Sequence, residues 1–438
     1  MRSVYIETYG CQMNLADTEL LFGHLGQHGY RRAASAAEAD VILLNTCAIR
    51  EHAEERVLGR LGELVRHKAR RPNIQLGIAG CMAQHVRDRL LAKIPFVDFI
   101  IGPDAYRRLP EVLGAAVDDP LVDVRLDRAE TYADITPARE GGVRGWVTVM
   151  RGCDKFCTFC VVPYVRGRER SLPATAVLAQ VRALAQAGYR EVVYLGQTVN
   201  AYRDGDVDFA ELLRRTDAIP GIERIRFTSP HPSDMTAPVI DAMATCAKVC
   251  PQLHLPMQSG SDRVLARMER GYTVAEYLAL IERLRHAIPH IALSTDVIVG
   301  FPGEEETDFQ ATCSVMRAVI FDSAFMFKYS ARNGTKAAKW PETVTAEEKG
   351  RRLQAVIALQ EECSAQINRA LIGSTTDVLI EGPARRREGW HAGKSAQFKT
   401  VVLPADGTRP GDLVRVRIHD ATAHTLIGEA DAESTVNS

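Results

Sequence analysis

The chain runs to 438 residues, 46% hydrophobic and 25% charged, with a formal net charge of −1. That length exceeds one compact core and predicts about three domains, and the ordinary globular composition excludes a disordered or fibrous class. A charge near zero excludes a global pull toward nucleic acid or membrane, so any polyanion site must be a local patch.

The opening stretch MRSVYIETYGCQMN has no basic region followed by an apolar one, and no apolar run of about 18 residues occurs. A cytoplasmic protein with no membrane partner is expected. From residue 1 to about 118, apolar runs of strand length alternate with amphipathic stretches of helix length, the pattern of a parallel α/β domain. The predicted strands are Val4 to Tyr9, Val41 to Asn45, Ile74 to Ala79 and Val97 to Ile101, with helices beginning near Asp17, Arg50, Asp88 and Arg107. The first three strands run into Cys11, Cys47 and Cys81, each about one strand-helix unit from the next. Parallel strands place their C-terminal ends on one edge, where open α/β sheets hold ligands, so these three thiols are expected to converge.

Residues 119–138 are polar and turn-rich and read as a linker. Residues 139–371 form the second predicted domain, with strands at Trp146 to Met150, Val192 to Leu195, Arg224 to Thr228, Leu253 to Met257, Ile291 to Val299 and Phe325 to Tyr329. Six strand-helix units predict an incomplete parallel barrel, closed by a long helix from about Thr345 to Ala370. From residue 372 to 438 the pattern changes to short alternating strands separated by Gly, Pro and Asp turns, which predicts a small all-β, five-stranded barrel.

Ten cysteines in a cytoplasmic chain of this size point to metal or redox chemistry rather than to disulfides. Cys246, Cys250, Cys313 and Cys363 have no third ligand nearby in sequence and are expected to be small buried hydrophobes. Cys153, Cys157 and Cys160 form the array CDKFCTFC in the loop after the first barrel strand. Zinc sites favour four ligands, and a zinc knuckle stands as the alternative, but three thiolates on a four-iron cluster leave one iron open. An open iron can take the amino and carboxylate groups of S-adenosylmethionine, after which one electron breaks a carbon-sulfur bond and releases a 5′-deoxyadenosyl radical.

With Phe159 before its third cysteine, this array resembles the radical S-adenosylmethionine superfamily. Together with ETYGCQMN, LLNTCAIREHAEERV, GIAGCMAQ, RGCDKFCTFCVVPY, HLPMQSGSDRVLARM and DVIVGFPGEEETDF, the chain resembles the methylthiotransferases, whose terminal TRAM-like domain the C-terminal pattern also suggests. Gln12-Met13-Asn14 and Ile49-Arg50-Glu51 resemble the branch acting on tRNA isopentenyladenosine. The resemblance implies two [4Fe-4S] clusters, an auxiliary one on Cys11, Cys47 and Cys81 and a radical-generating one on Cys153, Cys157 and Cys160. It also implies S-adenosylmethionine as cofactor, tRNA as substrate, an external electron donor and a sulfur source, in a monomer. The expected cofactor contacts are Gly196, Gln197 and Asn200, and Gln258 and Ser259, at later strand ends.

Between residues 371 and 419 eight Lys or Arg face five Asp or Glu. Arg385, Arg386 and Arg387 with Trp390 combine phosphate pairing with a stacking platform and are the expected RNA contacts. Arg166, Arg168 and Arg170 are candidates for phosphates at the site mouth, although an arginine-rich helix entry reads the same way. Val165 and Asn333 depart from the branch pattern, as does the run KSAQFKTVV, which touches the details of tRNA docking rather than the cluster ligands. The rival functions are a sister methylthiotransferase acting on threonylcarbamoyladenosine or a ribosomal protein, and a non-enzymatic iron-sulfur electron carrier or RNA-binding module.

Overall fold

The structure, a computed structural model, describes residues 1–48, 51–85, 93–115 and 120–431. The expected motif residues Ile49 and Arg50 and the helix start near Asp88 lie outside the described residues. The N-terminal apolar runs form one parallel six-stranded sheet. Its order is Arg31–Arg32, Ser3–Tyr9, Val41–Thr46, Gln75–Gly80, Phe99–Ile101 and Leu121–Asp123. The central strand VILLNT is buried at every position, as a strand covered on both faces must be.

Two expectations are corrected here. The first helix, Gln12–Gln27, starts five residues before Asp17, because Cys11 is its N-cap and Asn14 is built into the sheet edge. The Asn14 amide donates to Asn45 Oδ1 (3.1 Å) and to the Thr46 carbonyl (3.2 Å), and Asn45 donates back to the Asn14 carbonyl (2.8 Å). Nor is the stretch 119–138 a free linker in its described part. Leu121–Asp123 extends the sheet, and Tyr132 and Ile135 are buried in the first-domain core. Their apolar side chains need cover that a solvated spacer cannot give.

Six further strands form two parallel half-sheets, ordered Arg224–Phe227, Glu191–Leu195, Arg144–Thr148 and Gln252–His254, Ala292–Val299, Ser323–Lys328. An isolated bridge between Ile225 and Val249 joins their edges, which gives the incomplete barrel expected. The strand at Leu253 stops at His254, short of Met257, and Gln258 has a positive φ of 69°. Side chains on the outer face, such as Val192, Tyr194, Leu293 and Val297, pack under the helices in the largest core. Cys246, Cys313 and Cys363 lie in this core and Cys250 is buried beside it, as small hydrophobes. The helix Ala346–Ala370 begins at Thr345, whose hydroxyl accepts from Glu348 N.

The C-terminal segment is a closed five-stranded barrel of Thr375–Pro383, Trp390–Ser395, Thr400–Pro404, Thr425–Ala430 and Leu413–Ala421 in spatial order. Alternate residues Val378, Ile380, Val416 and Ile418 fill it. Its docking onto the second domain depends on Glu191, a fully buried carboxylate. Glu191 accepts from Arg144 Nε and from Arg226 Nε, the latter at 2.8 Å. Arg226 in turn donates to the carbonyls of Ser395 and Ala396 (both 2.8 Å), and Arg224 to those of Lys394 (2.6 Å) and Asp377 (2.8 Å). Removing one partner of such a buried charge group costs about 3–5 kcal/mol. Glu191→Ala is therefore expected to lower the unfolding temperature and to speed protease cleavage between Ala370 and Thr375, read by limited proteolysis.

Candidate active site

Cys11, Cys47 and Cys81 lie at the C-terminal ends of three adjacent parallel strands, as expected. A Cβ added at Gly10 would sit 2.9 Å from Cys47 Cβ and 2.4 Å from Asn14 Oδ1, so glycine lets the first strand end close against the second. The Cys11 thiol is drawn down to about 6, first by a hydrogen bond with Cys47 and then, against its own burial, by the Arg166 guanidinium. Burial pushes Cys81 up, and Arg166 opposes this by donating from Nε to the Cys81 sulfur at 3.0 Å.

Cys153, Cys157 and Cys160 sit in the loop following the short strand Met150–Arg151. Gly152 has a φ of 78°, and a Cβ there would meet the Arg168 carbonyl at 2.0 Å, so only glycine admits this turn. Cys153 Sγ pairs with Thr198 Oγ1 at 3.1 Å, and Arg270 donates to Cys157 Sγ at 3.2 Å. Although Cys160 keeps some exposure as a residue, its thiol is enclosed and is pushed up to about 12 by burial, reinforced by Cys157. Packing like acids together raises their proton affinity, and a bound cation reverses it, so this donor set suits an iron cluster. Among the described residues no three His, Cys, Asp or Glu side chains close tightly enough for a single ion; the thiolates of a multi-iron cluster stand wider apart.

Asp17, with no exposed surface, joins the two thiol sets. It accepts from Arg151 Nη2 (2.8 Å) and Arg166 Nη2 (2.7 Å), both on the barrel side. Burial alone would push the Asp17 carboxyl up, but the two guanidinium charges overcome it and hold it below the usual range. The loop after Arg166 also meets the second thiol set, because the Gly167 carbonyl accepts from Cys153 N at 3.1 Å. Arg166 and Arg170 are thus corrected as phosphate contacts. Both are buried, Arg170 forming a two-bond pair with Asp104 (2.8 and 3.1 Å), while Arg168 is exposed and bound to Asp154. Sequence reading missed Asp17 and Arg151 as a pair, and Arg270; the available signal was one carboxylate on a helix face otherwise free of acidic residues.

The predicted cofactor contacts fall into two groups. Gly196 is needed for packing, since its Cβ would meet Met150 Cγ at 2.7 Å. Asn200 is spent on His231, donating to its carbonyl (3.0 Å) and accepting from its N–H (2.8 Å). Ser259 faces the Thr312 hydroxyl at 3.4 Å, and Gln258 is held by its backbone between Asp296 and Ile298. Gln197 differs, because among the described residues its Oε1 is buried without a hydrogen-bond partner. His231 Nε2 is in the same condition, and burial pushes that imidazole down to about 2, aided by Arg270 and Lys155, so it stands neutral. The motif Gly300 to Glu304 is structural, with Glu304 accepting from Gly300 N (2.8 Å) and Arg352 Nη1 (2.7 Å).

The inner face of the barrel is half covered. Met13 and Ala16 of the first helix pack on Trp146, Val193 and Leu195 of the first half-sheet. Met326 packs outward against the core, so the alternate residues Phe325 and Phe327, 55% and 40% exposed, line the inner face of the second half-sheet beside His254. Arg385, Arg386 and Arg387 are exposed in the turn before Trp390, and the Arg387 guanidinium lies 3.6 Å over the Trp390 ring. None of the helices among the described residues is long and apolar enough to cross a membrane.

Residues 3–102 match the uncharacterized protein family UPF0004, residues 147–316 the radical SAM superfamily and residues 369–430 the TRAM domain. Over 98% of its length, and 97% of the relative, the chain is 46% identical to a tRNA-2-methylthio-N(6)-dimethylallyladenosine synthase from Chlorobium luteolum. It is 44% identical to a synthase of the same name from Nocardia farcinica, over 99% of the chain and 90% of the relative. The chain belongs to the tRNA-2-methylthio-N(6)-dimethylallyladenosine synthase family. Among solved structures it shares a fold with the radical S-adenosylmethionine methyltransferase TsrM from Kitasatospora setae. That likeness has a TM-score of 0.58 at 14% identity, over 89% of this chain and 77% of that one.

In this synthase-family chain the thiolate, not the thiol, is the nucleophile. In iron-free protein at pH 7, Cys11 is expected to react with iodoacetamide faster than Cys160, on the order of tenfold or more given their opposite shifts. Peptide mapping by mass spectrometry after timed alkylation reads the order.

Proposed function

We propose that the chain is a radical S-adenosylmethionine enzyme that installs a methylthio group on N(6)-dimethylallyladenosine in tRNA. The observation that carries this reading is the joining of two thiol triads through Arg166 and Gly167, one residue touching Cys81 and the next holding Cys153. Cys153, Cys157 and Cys160 would hold one [4Fe-4S] cluster, and Cys11, Cys47 and Cys81 a second. With both groups and S-adenosylmethionine bound, the site supplies one-electron cleavage of the cofactor and a sulfur-bearing centre, chemistry suited to an unactivated carbon-hydrogen bond.

The chain's own residues bind, orient and exclude water. Thr198 and Arg270 fix the Cys153 and Cys157 sulfurs, and Ala48, Val161 and Val165 close an apolar wall around Cys81. Gln197 Oε1 and the neutral His231 Nε2 are left to meet the polar groups of the cofactor, because a buried polar atom without a partner is costly. Phe325 and Phe327 offer ring faces on the uncovered half of the barrel, suited to a base carrying an apolar dimethylallyl group. Reductive cleavage consumes an electron and the product carries new sulfur, so the reaction draws on an external electron donor and a sulfur source. Each chain carries both thiol sets, which supports action as a monomer, and a tRNA substrate places that action in the cytoplasm. The domain limits that fit this division are 1–118 for the auxiliary site, with Leu121–Asp123, Tyr132 and Ile135 of the following stretch packed onto it, 139–371 for the radical core and 372–438 for RNA.

Cys47→Ala separates the two roles. With reductant and S-adenosylmethionine the variant should still form 5′-deoxyadenosine, yet give no methylthio nucleoside when tRNA is digested and analysed by mass spectrometry. Wild-type protein that forms no methylthio product under those conditions would sink the reading.

Arg385, Arg386 and Arg387 are assigned to tRNA phosphates. Each phosphate pair adds about 0.7 to 0.9 to the steepness of affinity against salt, so replacing all three with Ala should flatten the log-log slope by about 2. Binding measured at several salt concentrations tests this, and an unchanged slope would return the turn to a solvated role.

A further inference from the structure

The group joining the two thiol sets does not balance its own charge. Asp17 carries one negative charge, whereas Arg151 and Arg166 carry two positive ones, and the three side chains are 0%, 3% and 4% exposed. Tyr106 OH faces Asp17 Oδ2 at 3.5 Å and the Tyr132 ring lies 4.8 Å from the Arg151 guanidinium, but both phenols are pushed up by burial and stand neutral. Within this group of three one positive charge is thus left over, and an unpaired buried charge is costly, so the acids left to answer it are the thiols of Cys11 and Cys81 that face Arg166. Among the described residues Arg166 Nη1 and Arg151 Nε and Nη1 are buried with no hydrogen-bond partner. The other side-chain hydrogen bond of Arg166 among the described residues runs from its Nε to the sulfur of Cys81.

Resting on the two-cluster reading above, we propose that Arg166 is the fixed counter-charge of the iron-sulfur group held by Cys11, Cys47 and Cys81. It is a positioning residue, clamped by Asp17, that also sets the register between that group and Cys153 through the adjoining Gly167 carbonyl. Cluster potentials follow net charge and hydrogen bonds to sulfur, so a guanidinium here favours the reduced state. Lysine would keep the charge and lose the fork that reaches Asp17 and Cys81 together.

The test uses the full chain with Cys153, Cys157 and Cys160 changed to Ala, leaving one cluster to read, and follows iron content and reduction potential by spectroscopic titration. Arg166→Gln should shift the potential downward and Asp17→Asn upward, with Arg166→Lys closer to the parent than Arg166→Gln. Opposite signs distinguish charge from loosening, which would move both variants one way. Loss of iron in Arg166→Gln alone, with Arg166→Lys and Asp17→Asn loaded, also supports the assignment. An unchanged potential in loaded Arg166→Gln, shifts of the same sign, or loss of iron in Asp17→Asn as well would overturn it. A parent protein that takes up no iron would overturn the two-cluster reading itself.

Discussion

The Asp17 carboxylate, buried between Arg151 and Arg166, is the contact on which the rest of this architecture depends. It belongs to the first helix of the N-terminal sheet, and its partners belong to the strand before the CDKFCTFC array and the loop after it. Two charges taken out of water make a poor source of net stability, but a one-sided rupture is expensive, so such a group fixes a geometry more than it adds free energy. Here the geometry fixed is the approach of one thiol edge to another.

Covering and leaving open divide the barrel in a similar way. Its first half is sealed on the inside by Met13 and Ala16 from the N-terminal domain, and its edge by the arginines bound to Ser395, Ala396, Lys394 and Asp377 of the C-terminal barrel. The second half keeps Phe325 and Phe327 uncovered.

The arginines carry a lesson about reading charge from sequence. Arg166, Arg168 and Arg170 are indistinguishable in the string RGRER, yet two are buried against Asp17 and Asp104 and one is exposed on Asp154. A side chain's partner across 66 or 149 positions leaves no local trace. Arg385 to Arg387 kept the exposure expected of them because a hairpin turn has no core to face.

The sequence by itself determined the order of strands and helices, the incomplete barrel, the terminal five-stranded barrel and the placement of six cysteines at strand ends and in one loop. These follow from periodicity and spacing, which are local and survive without knowledge of neighbours. Only the tertiary structure decided that Asn14 starts the first helix early, that Tyr132 and Ile135 belong to the first-domain core, and that Asn200 serves His231 rather than standing free. It alone decided that, among the described residues, Gln197 Oε1 and His231 Nε2 are buried without hydrogen-bond partners. Those facts are about which groups satisfy one another across the chain, and hydrogen-bond and charge balance close only in three dimensions.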